Sequence, residues 1–191
     1  MRRRTSLVLT ALLAAVSLRA QDAIERREPQ RTLYLPSSHL FACEIPSGWQ
    51  AFEEEDALGP VVHILGPENP AGTYRAGLSV RWEEKGQAGY VEAQKAVNAM
   101  RRSDKETKRD STAVMHVRVG GALARVFEVV ETRTLPSDRL PAREELIHHY
   151  LAVIPSGLNY YLLRLSSSRD VYLDFREDFF QCLRTFKPLG H

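Results

Sequence analysis

The chain has 191 residues, 26 basic and 24 acidic side chains, two cysteines and 43% hydrophobic residues. That length suits one domain with an ordinary core, and the near balance of charge gives no electrostatic case for nucleic acid. Four of the 26 basic residues, Arg2, Arg3, Arg4 and Arg19, fall in the first twenty positions, so loss of that segment leaves 22 against 24, about −2, which argues equally against an anionic membrane surface.

Residues 1–20 carry the three parts of a cleavable signal peptide. Arg2, Arg3 and Arg4 form the cationic start, and an apolar run over 7–18 follows that is too short for a permanent anchor, which needs roughly 20 residues. Ala20 supplies the small residue at the cut. No Cys follows the run, so a lipid-anchored N-terminus is not supported. The expected location is secreted or periplasmic, with no stable membrane insertion after cleavage. Residues 21–38 are polar and charged, with Pro29 and Pro36, and read as a flexible lead-in that ends in a short extended piece over 32–35. Residues 39–191 are expected to form one domain.

Within it, Phe41, Cys43 and Ile45 alternate on one face of a strand that Pro46-Ser47-Gly48 closes. Further strands are expected over 61–65 and 77–83, separated by a surface loop rich in proline and glycine. Tyr90, Ala93, Val97 and Met100 recur at helical spacing and predict a helix over 88–102, followed by a solvated charged loop over 103–110. Runs over 113–119 and 122–132 flank Gly120-Gly121, a hairpin signal, since both glycines accept positive φ. Strands over 145–154 and 158–166 then pair around Pro155-Ser156-Gly157. Ile147, Leu151 and Val153 share one face, and Leu146, Tyr150 and Ile154 the other, as in central strands covered on both sides. A last helix over 170–186 carries the stripe Phe175, Phe179, Cys182, Leu183 and Phe186, and Pro188 ends it. The expected fold is α+β, a mainly antiparallel sheet of about six to seven strands packed by two helices.

The phrase Phe41-Ala42-Cys43-Glu44-Ile45-Pro46-Ser47-Gly48-Trp49, the later Leu158-Asn159-Tyr160-Tyr161-Leu162 and a terminal aromatic helix ending in Thr185-Phe186-Lys187 together resemble the PsbP-like group and bacterial exported relatives of the DcrB type. The resemblance covers most of the chain beyond the leader as a pattern. It implies an antiparallel sheet sandwiched by helices and a group of non-catalytic accessory or partner-binding proteins. It carries no catalytic residue across.

Motifs for dinucleotides, nucleotide phosphates, calcium and zinc proteases are missing, and Gly77-Leu78-Ser79-Val80-Arg81 lacks the second glycine of a nucleophile elbow, so Ser79 reads as a plain strand residue. His63, His116, His148 and His149 all fall on expected strands. Adjacent His148 and His149 point to opposite faces, so at most one joins any cluster. Glu53-Glu54-Glu55-Asp56 and Glu83-Glu84 read as solvated charge beside turns. No catalytic residue, metal ligand or cofactor is therefore assigned.

Cys43 and Cys182 both lie on apolar faces and should meet if the last helix packs on the first strand. An oxidising compartment favours a disulfide between them, and two separate buried thiols are the alternative. Two function classes remain: a non-catalytic exported binding or accessory protein for an unknown protein or envelope component, meeting it through the sheet edge or the loops over 66–74 and 133–143, and an enzyme or metal protein with a site assembled from scattered residues such as His116, His149 and Glu145.

Overall fold

The computed structural model describes residues 30–136 and 141–189. The expected leader over 1–20, the lead-in up to 29 and the middle of the 133–143 loop lie outside the described residues.

Among the described residues, eleven strands and two helices follow one another as β1 (Arg31–Tyr34), β2 (Phe41–Pro46), β3 (Gln50–Asp56), β4 (Gly59–Glu68), β5 (Arg75–Glu83), α1 (Ala93–Met100), β6 (Asp110–Ser111), β7 (Met115–Val119), β8 (Ala122–Leu135), β9 (Arg143–Ser156), β10 (Asn159–Ser168), α2 (Tyr172–Thr185) and β11 (Lys187–Pro188). All pairings are antiparallel. The larger sheet has eight strands in the order β3-β4-β5-β10-β9-β8-β6, with β7 also on β8, and the smaller runs β1-β2-β11. The α+β class and the two helices agree with the sequence reading. The count of about six to seven strands does not.

The register explains how the core divides. Val62, Val80, Leu163, Ala152 and Val126 are cross-strand neighbours from β4 to β8, and all face the same way. Over them lie α2 and β2, which contribute Phe179, Cys182, Leu183, Phe41, Cys43 and Ile45 to one buried cluster. Aromatic contacts tie the layers: Phe41 stacks on Phe186 at 5.2 Å, Tyr150 on Phe179 at 5.7 Å, and Trp82 leans on Tyr161 at 4.5 Å. On the opposite face, α1 inserts Val97 among Phe127, Val129, Leu151, Val153 and Tyr160. β9 is thus covered on both sides, as its two apolar faces require.

The departures have local causes. Glu53–Asp56 belong to β3, an edge strand wet on both faces, so no apolar alternation marked it. β1 falls where the short extended piece at the end of the lead-in was expected, whereas β11 adds two residues beyond α2, pairing with Phe41 and Ala42. Helix α1 starts at Ala93 rather than 88, because Gly89 sits at φ 78° and Glu92 is extended at ψ 141°. Tyr90 therefore stands outside the helix and donates its hydroxyl to the Leu158 carbonyl. Gly120 and Gly121 take φ 54° and 87°, as the expected hairpin demands.

Phe179 is 1% exposed and touches both the sheet and α2's own aromatic neighbours. Phe179→Ala should lower unfolding free energy by about 3 to 5 kcal/mol, read from urea denaturation, through the cavity it leaves.

Candidate functional site

The face packed by α1 is apolar beneath that helix and mixed beyond it, where Ile147 and Val61 stand among polar residues. Farther along, cross-strand neighbours run His63, Ser79, Arg164, and then Leu151 and Phe127, so the row changes from polar to apolar as it reaches α1. In the adjacent row Ser166 faces His149 directly across β10 and β9. Glu131 lies diagonally beyond, on β8.

These positions assemble a buried polar chain. His149 Nδ1 is 2.7 Å from Ser166 Oγ, and His149 Nε2 is 3.3 Å from Glu131 Oε1. Arg133 grips the same carboxylate, Nε at 2.6 Å and Nη2 at 2.5 Å, while Arg109 Nη1 stands 3.7 Å from Oε2. Burial pushes the Glu131 carboxyl up, but the Arg133 hydrogen bond and the neighbouring cations outweigh it and the net shift is downward. Burial holds the His149 imidazole well below its ordinary value, against the pull of Glu131. The pair is therefore an ionised carboxylate with a neutral imidazole. Since the carboxylate only accepts, Nε2 carries the proton and donates to it, which leaves Nδ1 to accept the Ser166 hydroxyl.

The order Ser166–His149–Glu131 is that of an activated nucleophile. The chemistry is weak, however: an imidazole with so depressed a pKa is a poor proton acceptor near neutral pH, and Ser166 lies within a regular strand. The chain of hydrogen bonds orients Glu131 and Arg133 rather than abstracting a proton.

The structure places the other sequence candidates apart. His116 lies on β7 opposite Arg125. His63 stacks on Phe52 at 5.1 Å and reaches Glu54 at 3.6 Å, and His148 stacks on Tyr172 at 3.8 Å on the α2 side. Glu145 accepts the Thr73 hydroxyl at 2.8 Å and joins neither His116 nor His149. Ser79 donates only a long hydrogen bond, 3.5 Å, to the Arg164 carbonyl. Among the described residues no group of three or more His, Cys, Asp or Glu could hold a metal ion. The acidic run is structural as well: Glu53 accepts from Ser37 and Ser38, and Arg81 bonds Asp56 and holds its carboxyl down to about 2.

Cys43 and Cys182 do meet, as expected from a helix packed on β2, but they are two free buried thiols and not the expected disulfide. The Cys182 thiol hydrogen-bonds Cys43, and that bond together with complete burial raises it well above an ordinary thiol. Residues that sequence reasoning passed over, Glu131, Arg109, Arg133, Arg164 and Ser166, make up most of the cluster. One signal was available: Glu131 continues the face of Phe127 and Val129, so a carboxylate stands where the alternation calls for an apolar residue.

A wide surface groove lies elsewhere, between the 90–95 segment and the β9–β10 turn. It encloses about 710 Å³ and presents Leu158, 69% exposed, and Val91, flanked by Lys85 and Lys95. Among the described residues no helix is long and apolar enough to cross a membrane.

No family model matches the chain, and no curated protein does. Similar solved structures include cyanobacterial PsbP from Synechocystis sp. PCC 6803, at 11% identity over 87% of this chain and 96% of that one, TM-score 0.45. LpqN, involved in cell envelope biogenesis of Mycobacterium tuberculosis, is similar at 11% identity over 85% and 86%, TM-score 0.45. A Pseudomonas aeruginosa protein of unknown function is similar at 14% identity over 82% and 95%, TM-score 0.48. A PsbP protein is thus among the structural neighbours, the group that the strand–turn phrase resembles. At these identities and scores the likenesses carry no weight in the functional argument.

The buried imidazole sets a pH dependence. Unfolded, His149 titrates at its ordinary 6.5, whereas folded it takes a proton only at lower pH, so as pH falls below 6.5 the unfolded chain binds protons first and stability declines. His148, depressed by burial and by Arg169, acts in the same direction. His149→Gln should flatten the fall in urea midpoint between pH 6.5 and about 5, and a slope equal to the wild type's would show that burial of this ring is not what the stability responds to.

Proposed function

We propose that this protein is an exported, non-catalytic binding or accessory protein whose partner is a protein or envelope component. The observation that carries the reading is the groove at Leu158 and Val91: a well-exposed leucine and a second exposed aliphatic side chain stand at the end of a sheet whose own core is filled. A hydrophobic tip held by the β9–β10 ladder is pre-organised for contact, because little backbone entropy remains to be lost on docking. Lys85 at its rim favours an acidic group on the partner beside its apolar contact, whereas Lys95 is paired with Glu92 of the same groove at 3.4 Å. The dispersal of His63, His116 and His148 supports the same reading over an assembled metal site.

Export rests on the leader over 1–20, and cleavage after Ala20 would give a chain beginning at Gln21. In an oxidising compartment the adjacent Cys43 and Cys182 would pass two electrons and two protons to a disulfide-forming oxidant and join. The step belongs to folding, since burial and a raised thiol pKa suppress the thiolate afterwards. Mass spectrometry of the exported protein should therefore give a chain starting at Gln21 and lighter by two hydrogens. The joined pair would add up to about 4 to 5 kcal/mol of stability on the chain-entropy account.

A photocrosslinking residue at position 158 of the full chain, expressed in its own cells, tests the groove. A discrete adduct is expected at 158 and none at Leu173, which is exposed to a similar extent on α2. Absence of any adduct at 158, or a stoichiometric metal in the purified protein, would overturn the reading.

A further inference from the structure

Three arginines and one carboxylate line a single cavity. Arg109, Arg133 and Arg164 line a cavity of about 90 Å³ together with Met100, Glu131 and His149. With the imidazole neutral, these side chains carry three positive charges against one negative. That carboxylate is already committed, Oε1 to Arg133 and His149 and Oε2 toward Arg109. Arg109 donates one Nη2 hydrogen bond to the Met100 carbonyl at 2.6 Å, and its buried Nε has no partner among the described residues. The Arg164 guanidinium forms no hydrogen bond or ion pair among the described residues. It also borders a second cavity of about 150 Å³, beside Ser79 and Ser166.

Such an arrangement leaves positive charge over. Arg109 is the more covered of the three, while Arg133 and Arg164 still reach solvent; partial burial and the nearby Arg133 and Arg109 push the Arg164 guanidinium below its ordinary pKa, although Tyr74 and Glu131 pull the other way. No ion pair among the described residues accounts for Arg164.

We propose that this pocket binds a doubly charged tetrahedral oxyanion, a free phosphate or the terminal phosphate of a larger molecule, with Arg164 and Arg109 as its main donors. The excess of two positive charges matches a dianion. Guanidinium forks offer parallel N–H pairs at the spacing of two phosphate oxygens. The smaller cavity, of about 90 Å³, is of the size of one such group, and Arg164 stands between it and the space beside Ser79. Glu131 and His149 serve as positioning residues, because they fix the Arg133 fork at the rim without touching the anion. The site is separate from the groove at Leu158 and stands without it.

Isothermal titration of the purified protein at low salt and near-neutral pH, with inorganic phosphate and separately with glycerol phosphate, tests the site. Saturable one-to-one binding is expected for at least one of them, and the tighter of the two identifies the source of the phosphate. Arg164→Gln should weaken that binding tenfold or more, with Arg164→Lys falling between, since lysine keeps the charge and loses the fork. The unliganded Arg164→Gln protein should melt at the wild-type temperature or above it, because a repelled charge has been removed. A structural arginine would instead lower the melting temperature and leave phosphate affinity unchanged. That outcome, or no saturable binding by the wild type up to about 10 mM of either compound, overturns the proposal.

Discussion

Helix α1 has eight residues, about 12 Å of helix, and it packs on a sheet whose hydrogen-bonded path of seven strands is roughly 29 Å across. It can dry only part of one face. Under it β8, β9 and β10 supply Phe127, Val129, Leu151, Val153 and Tyr160; outside it β5 and β10 supply Ser79, Arg164 and Ser166. The opposite face has no such boundary. There α2, fourteen residues long, and β2 cover the strands together, and the buried cluster extends from Val62 on β4 to Val126 on β8. One side of the sheet is therefore a core, and the other is a core that ends in the middle of a face.

Polar groups at such a boundary behave differently from those on an open surface. Glu131 keeps only about a tenth of its side chain exposed, so its charge is partly desolvated and needs donors close by. Arg133 and His149 satisfy it. His149 cannot itself remain charged at 5% exposure, and the neutral ring becomes a connector that takes the Ser166 hydroxyl on one side and gives its proton to Glu131 on the other. The network is satisfied around its carboxylate. What it leaves over is positive charge.

Most of the architecture was legible in the sequence because it follows from periodicity. The two apolar faces of β9, the Gly120-Gly121 hairpin and the aromatic stripe of α2 are each dictated by residues within a few positions of one another. β3 was not legible, since an edge strand solvated on both faces has no pattern to keep, and α1 was overextended because Tyr90 fits the helical spacing while packing outside the helix on Tyr160. Cys43 and Cys182 could be brought together from their apolar faces alone, though whether the sulfurs are joined depends on redox chemistry that no spacing encodes. The polar cluster was hardest to see. His149 was singled out for the wrong company, Glu145 and His116, because register across four strands decides its neighbours, and register is not written in any one of them.

The division between faces also decides what a bound group could change. β10 is hydrogen-bonded on both sides, to β5 and to β9, and its inward residues Tyr161, Leu163 and Leu165 are locked in the aromatic core. Arg164 and Ser166 alternate with them, so their backbone positions are set by packing on the far side of the sheet while their side chains stay at the edge of the dry region. An anion arriving there meets donors whose anchors cannot move and whose charge is uncompensated. Binding then requires ordering of a few side-chain torsions and no rearrangement of the fold, which favours recognition by a standing site over a conformational switch.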